Sequence, residues 1–123
     1  MQKTFLVIAG ISGALSVAIG AFGAHGMRTF LEANNRFDTF ETAVRYQFYH
    51  TFLLLIIGIL MAHFPSKTME WAGWTSIFGI LIFSGSLYIL CATGIKWLGA
   101  ITPIGGLLFI ASWLLLAISV LKK

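Results

Sequence analysis

Residues 97–121 read WLGAITPIGGLLFIASWLLLAISVL, 25 residues without an Asp, Glu, Lys or Arg. A helix that crosses about 30 Å of hydrocarbon at 1.5 Å per residue needs about 20 apolar residues. This stretch, bounded by Lys96 and Lys122, is long enough. Three more charge-free windows precede it, at 4–27, 46–66 and 71–95, and the four together take 95 of the 123 residues. Isolated strands are excluded there, because lipid cannot satisfy their backbone groups. Composition agrees: 59% of the residues are hydrophobic and 10% charged, with a mean hydropathy of +0.93, whereas soluble domains carry about 25% charged residues. A soluble globule and a disordered chain are both ruled out. The chain is an integral membrane protein of one domain.

Local signals set the edges. Asp38-Thr39-Phe40-Glu41 has the form of a capping box, which starts the second helix near Thr39, and Pro65 closes it. Glu41 and Arg45 stand four apart, acid first, as a helix-surface ion pair requires. Gly94 suits the position just past a helix end, and Thr102-Pro103 reads as N-cap and first helical residue. The expected spans are 4–27, 39–64, 71–94 and 103–121, with a tight connection over 95–101. Between the first two, Phe30, Ala33, Phe37, Phe40 and Val44 recur at three- and four-residue steps, with a break at Asn34-Asn35. That pattern predicts an amphipathic helix at the membrane interface. The expected fold is an all-α four-helix transmembrane bundle with this interfacial helix between spans one and two. The first span has Lys3 and small residues around Ala21-Phe22-Gly23, yet it is longer than a signal-peptide core and is expected to be retained.

The net charge of +4 forms no basic patch, so nucleic acid is not an expected partner. A lone Cys91 in an apolar run reads as a small packed side chain. Four basic residues, Lys3, Lys67, Lys122 and Lys123, fall on the side of the termini, and four, Arg28, Arg36, Arg45 and Lys96, on the other. Three of the four acids accompany the arginines of the first loop. The expectation is a plasma-membrane protein with cytoplasmic termini.

Two groups of residues stand out. Ser12, Ser16, Gly20 and Ala24 fall four apart on one stripe of the first span, which lets another helix approach closely. That helix belongs to this chain, to a second copy or to another membrane protein. The second group is polar and one-sided: His25, Tyr46, Tyr49, His50, Tyr88 and Thr102 in the spans, with Glu41 and Arg45 just outside. Ionisable groups in spans are costly and mark function by default, and His exchanges protons near neutral pH. The group reads as an interhelix hydrogen-bond network, as a site for a small ligand, lipid headgroup or ion, or as a pair of His ligands for haem or a metal. Two histidines without suitably placed cysteines fall short of a structural zinc site, and no metal or other cofactor is expected. No catalytic motif is present and the charge-free windows hold no carboxylate, so the protein is expected not to be an enzyme. The leading expectation is a non-enzymatic membrane protein whose polar end binds a ligand. The alternatives are an assembly factor docking through the first span, and a small ion or solute channel.

Four motifs stand in order along the chain: 20–26 GAFGAHG, 41–50 ETAVRYQFYH, 84–88 SGSLY and 99–106 GAITPIGG. They resemble the DUF423 family of small membrane proteins over nearly the whole chain. The resemblance implies a four-span protein, in bacteria of the plasma membrane, and carries no activity with it. The family motif positions here are His25, Glu41, Tyr46, His50, Tyr88 and Thr102, which coincide with the polar group.

Overall fold

The computed structural model describes residues 1–122; Lys123, one of the four basic residues on the terminal side, lies outside the described residues. Helix α1 is Gln2–His25, α2 Arg28–Ala33, α3 Phe37–Leu60, α4 Lys67–Gly79, α5 Gly85–Thr93 and α6 Thr102–Leu121. A π-helical turn, Ile80–Ser84, joins α4 to α5, and a short 3-10 helix, Lys96–Ala100, precedes α6. Four helices are long and apolar enough to cross a membrane: Gln2–His25, Phe37–Leu60, Lys67–Thr93 and Lys96–Leu121. The protein is a four-helix membrane bundle.

The order of packing follows from a few close approaches. Gly23 of α1 lies against the ring of Phe40 of α3, Gly13 against Thr51, and Leu6 against Gly58, so these two helices run antiparallel. Ser76 reaches the His50 carbonyl and Ser84 the Ala43 carbonyl, which sets α4 and α5 antiparallel to α3 on another side. Gly105 of α6 rests on the backbone of Phe83, and Gly79 lies under the ring of Phe109. Helix α3 is therefore central, α1 and α4–α5 flank it in parallel, and α6 packs on α4. The larger core cluster lies in the half near the termini, where Phe5, Leu53, Leu54, Ile57 and Met69 are fully buried, and a smaller one, of Leu31, Phe40 and Cys91, lies at the other end.

Helix ends depart from expectation in three places. The capping box does not form: α3 begins at Phe37 behind Arg36, which makes no side-chain cap, and Glu41 bonds Arg45 instead. A cap does form at Ser66, whose hydroxyl accepts the Met69 amide at 3.1 Å. Thr102 is the first residue of α6 rather than its N-cap, and its hydroxyl is taken by Ser86 at 2.6 Å. The expected interfacial helix shrinks to the six residues of α2. Asn35 adopts a left-handed φ of 55° and breaks it from α3, so Phe30 and Ala33 face outward while Phe37, Phe40 and Val44 belong to the second span. Gly94 ends α5 with a φ of 76°, the left-handed conformation that glycine takes without strain.

Candidate functional site

Helix α3 carries two polar side chains three residues apart that face different neighbours. Gln47 is buried and turns toward α1 and α5. Its Nε2 donates to the Ser12 carbonyl at 3.2 Å and lies 3.3 Å from the Ser12 hydroxyl. Its Oε1 accepts the Tyr88 hydroxyl at 2.6 Å. Ser12 also bonds Thr51, hydroxyl to hydroxyl, at 2.7 Å, and Ser16 donates back to the Ser12 carbonyl at 2.8 Å. The four-residue spacing explains the seam: Gln47 and Thr51 share one face of α3, and Ser12 and Ser16 share one face of α1. The expected small-residue stripe is thus covered by the chain's own second span. Gly20 packs on Val44 of α3, and Ala24 lies with Phe37 and Phe40 around a small surface hollow.

His50 turns toward α6. Its ring stacks on Phe109 with centroids 3.4 Å apart and planes at 9°. Tyr46, one turn away, stacks on Phe83 at 4.7 Å. The Trp113 indole N–H points at His50 Nε2 at 3.1 Å, and Nδ1 lies 2.8 Å from the Tyr46 carbonyl. An indole N–H only donates and a carbonyl only accepts, so Nε2 is the acceptor and Nδ1 carries the proton. His50 in this arrangement is a neutral imidazole with both nitrogens engaged. It has no lone pair left for a metal and no open position from which to relay a proton.

The eight residues expected to form one polar cluster do not meet. Counting from the Gly13–Thr51 and Gly23–Phe40 contacts, His25 lies about twelve residues of helix, or about 18 Å, from the level of His50. His25 is exposed at the end of α1. Glu41 and Arg45 pair with each other at 3.0 Å on the surface. Tyr49 faces outward beside Tyr46, 53% exposed. Tyr88 belongs to the Gln47 seam, Tyr46 and His50 to the aromatic stack, and Thr102 to a bond with Ser86 that ties α6 to α5. Among the described residues no three His, Cys, Asp or Glu side chains gather to hold a metal. Sequence reading passed over Gln47, although it is a lone amide inside a span and that alone was a signal. It also passed over Trp113. The serines at 76, 84 and 112 bond carbonyls of neighbouring helices at 3.1, 2.7 and 2.7 Å, which needs a register that no spacing reveals. Among the described residues no buried side-chain nitrogen or oxygen lacks a partner.

One sizeable unfilled space is not polar. Helices α1 and α4–α5 meet near the termini, where the Phe5 ring fills the space beside Gly73 and meets Trp74 edge-on. Beyond that contact they leave a cleft over α3. Its first part, about 190 Å³, is walled by Ile8, Leu15, Ile77 and Leu81, with Ser12 and Gln47 on its floor. Its second part, about 550 Å³, is walled by Ile19, Phe22, Met27, Phe40, Tyr88 and Cys91. The Tyr88–Gln47 bond lies between the two. The outer rim, at Leu15, Phe22 and Leu81, is 50–62% exposed, so the cleft opens sideways into the bilayer.

These features define a polytopic α-helical membrane protein with a lateral apolar cleft. The chain belongs to the DUF423 family, described as "Protein of unknown function", whose model matches residues 19–106. It is similar to a UPF0382 membrane protein of Staphylococcus haemolyticus, 49% identical over 121 residues covering 98% of each chain. A UPF0382 membrane protein of Staphylococcus epidermidis is 47% identical over 98% of each chain, and UPF0382 membrane protein YwdK of Bacillus subtilis is 39% identical over the same share. No solved structure matches.

Proposed function

We propose that the protein is a non-enzymatic component of the plasma membrane that holds a bilayer lipid by one acyl chain in the cleft between α1 and α4–α5. The observation that carries this reading is the cleft itself. Its walls are aliphatic and aromatic, it opens at the depth of the hydrocarbon, and its larger part has a volume within the range of about 300–1,000 Å³ usual for small-molecule sites. The polar reading of the site has less support, because the buried amide, imidazole and hydroxyl groups already bond one another. They leave no array of free donors and acceptors for an ion or a hydrated solute. The Gln47–Tyr88 bond then serves as a rigid floor that keeps α1 and α5 apart at a fixed distance.

The test is native mass spectrometry of the protein released from micelles, alongside Ala18→Trp and Ala92→Trp, which put an indole into the larger part of the cleft. Retained phospholipid on the unchanged chain, and its loss from both variants at unaltered thermal stability, supports the reading. Equal retention by all three, or no lipid on any, overturns it. Orientation has its own check. Fluorescence from a C-terminal green fluorescent fusion supports cytoplasmic termini; phosphatase activity from a C-terminal alkaline phosphatase fusion opposes them.

A further inference from the structure

The cleft has a charged end. Arg36 sits between α2 and α3, half-buried. Its carbonyl accepts the thiol of Cys91, a cleft-wall residue, at 3.7 Å. Its guanidinium lies beside Gly94, Nη1 being 3.3 Å from where a Cβ would stand. The group thereby stands at the end of α5, at the level of the first and third loops, about one turn beyond Cys91 on the wall of the larger part of the cleft. Its neighbours in charge are otherwise occupied. Arg28 pairs with Glu32 at 2.8 Å and Arg45 with Glu41 at 3.0 Å. Arg36 forms no ion pair among the described residues, although Asp38 is only two positions along the chain. A half-buried guanidinium with no counter-ion gains most from an anion, and its planar fork of donors matches phosphate oxygens in pairs. Lys96, exposed two residues beyond Gly94, adds a second positive charge on this face.

On the reading that the cleft holds an acyl chain, we infer that its occupant is an anionic phospholipid, with the phosphodiester on the Arg36 guanidinium and a chain running along Cys91 and Tyr88 toward Gln47. The other role open to Arg36 is to sit against the carbonyl end of α5, where a cation is favoured without any ligand.

The two roles separate in one experiment. The protein is reconstituted in nanodiscs of equal phosphatidylglycerol and phosphatidylcholine with identical acyl chains, extracted, and its retained lipid counted by native mass spectrometry. The expected result is a preference for phosphatidylglycerol of about tenfold, as a charge-assisted contact supplies. Arg36→Gln should abolish the preference while total lipid retained stays the same, and Arg36→Lys should keep most of it. A preference unchanged in Arg36→Gln, or none in the unchanged protein, overturns the inference and leaves the cleft reading standing. If neither lipid is retained, the cleft reading falls as well. Glycerol phosphate, which has the anion without the chain, is added to a parallel sample. Displacement of phosphatidylglycerol by it would assign Arg36 to a soluble phosphate and overturn the inference.

Discussion

Gln47 and His50 stand three residues apart on α3 and are held by opposite means. On the Gln47 side, α1 comes close, because serine and glycine leave room for backbone to meet side chain, and short polar groups knit the seam. On the His50 side, large rings of α6 and the π turn reach across, and stacking fills the space. Lipid gives no hydrophobic drive to bring helices together, so both sides depend on packing and on hydrogen bonds. The first achieves it with small residues and short distances, the second with long side chains and area. Damage should therefore look different on the two sides. Removing volume hurts the His50 side, and adding volume hurts the Gln47 side.

The largest effect should come from His50→Ala, which empties the stack on Phe109 and strips the Trp113 N–H of its acceptor. A loss of about 3 kcal/mol is expected in denaturant unfolding of the protein in mixed micelles. His50→Phe keeps the stacked ring and should cost about 1 kcal/mol. Equal losses for the two would mean that the stack does not hold this side. Next comes Gly23→Leu, whose side chain meets the Phe40 ring. About 2 kcal/mol of overpacking is expected, partly recovered in Gly23→Leu with Phe40→Ala. No recovery in the double variant would place the strain elsewhere. Gln47→Leu should cost about 1 kcal/mol, and Tyr88→Phe in that background should add nothing, since the phenol has already lost its acceptor. A double-mutant cycle reads this directly, and additive losses would show the bond to be idle. The smallest effect belongs to Arg45→Gln. Its pair with Glu41 is exposed, so a change below about 0.5 kcal/mol, vanishing in high salt, is expected in the same unfolding assay.

The spans themselves were legible, because each is a charge-free run bounded by charges, and lipid leaves helix as the solution. Gly94 as a left-handed terminus and the break at Asn34-Asn35 were legible for a similar local reason: both depend on one or two residues. The capping box was misread because Asp38 lies inside a helix that had already begun, and Glu41 has a nearer partner one turn ahead in Arg45. The unity of the polar group failed on register. His25 was joined to His50 by assigning both to one half of the membrane, although the contacts of α1 with α3 put them about 18 Å apart in depth, and for the rest a sequence does not say which face meets which neighbour. Gln47 was hidden by its own success. An amide whose partners are a carbonyl, a serine and a tyrosine from two other helices leaves no mark at any fixed spacing. The cleft was invisible because it consists of a missing contact between two parallel spans.

The π turn at 80–84 has a consequence of another kind. Such a turn accommodates one residue more than an α-helix would in the same length of axis. Nothing in ILIFS announces it, and no single substitution there removes the extra residue. Below it, Ser76 meets α3; above it, Tyr88 and Cys91 look into the cleft. Deleting one residue, such as Leu81, would restore an even winding with both halves of the span left in register, whereas rewinding all five residues as α-helix would swing the whole outer half by about 100°. Tyr88 would leave Gln47 and Cys91 would leave Arg36 in the same stroke, while the inner half kept its place. The third span thus stores information in its length as well as its letters. A one-residue deletion within 80–84 should therefore be tolerated better than the same deletion in α4 or α5, which would throw Tyr88 and Cys91 out of register.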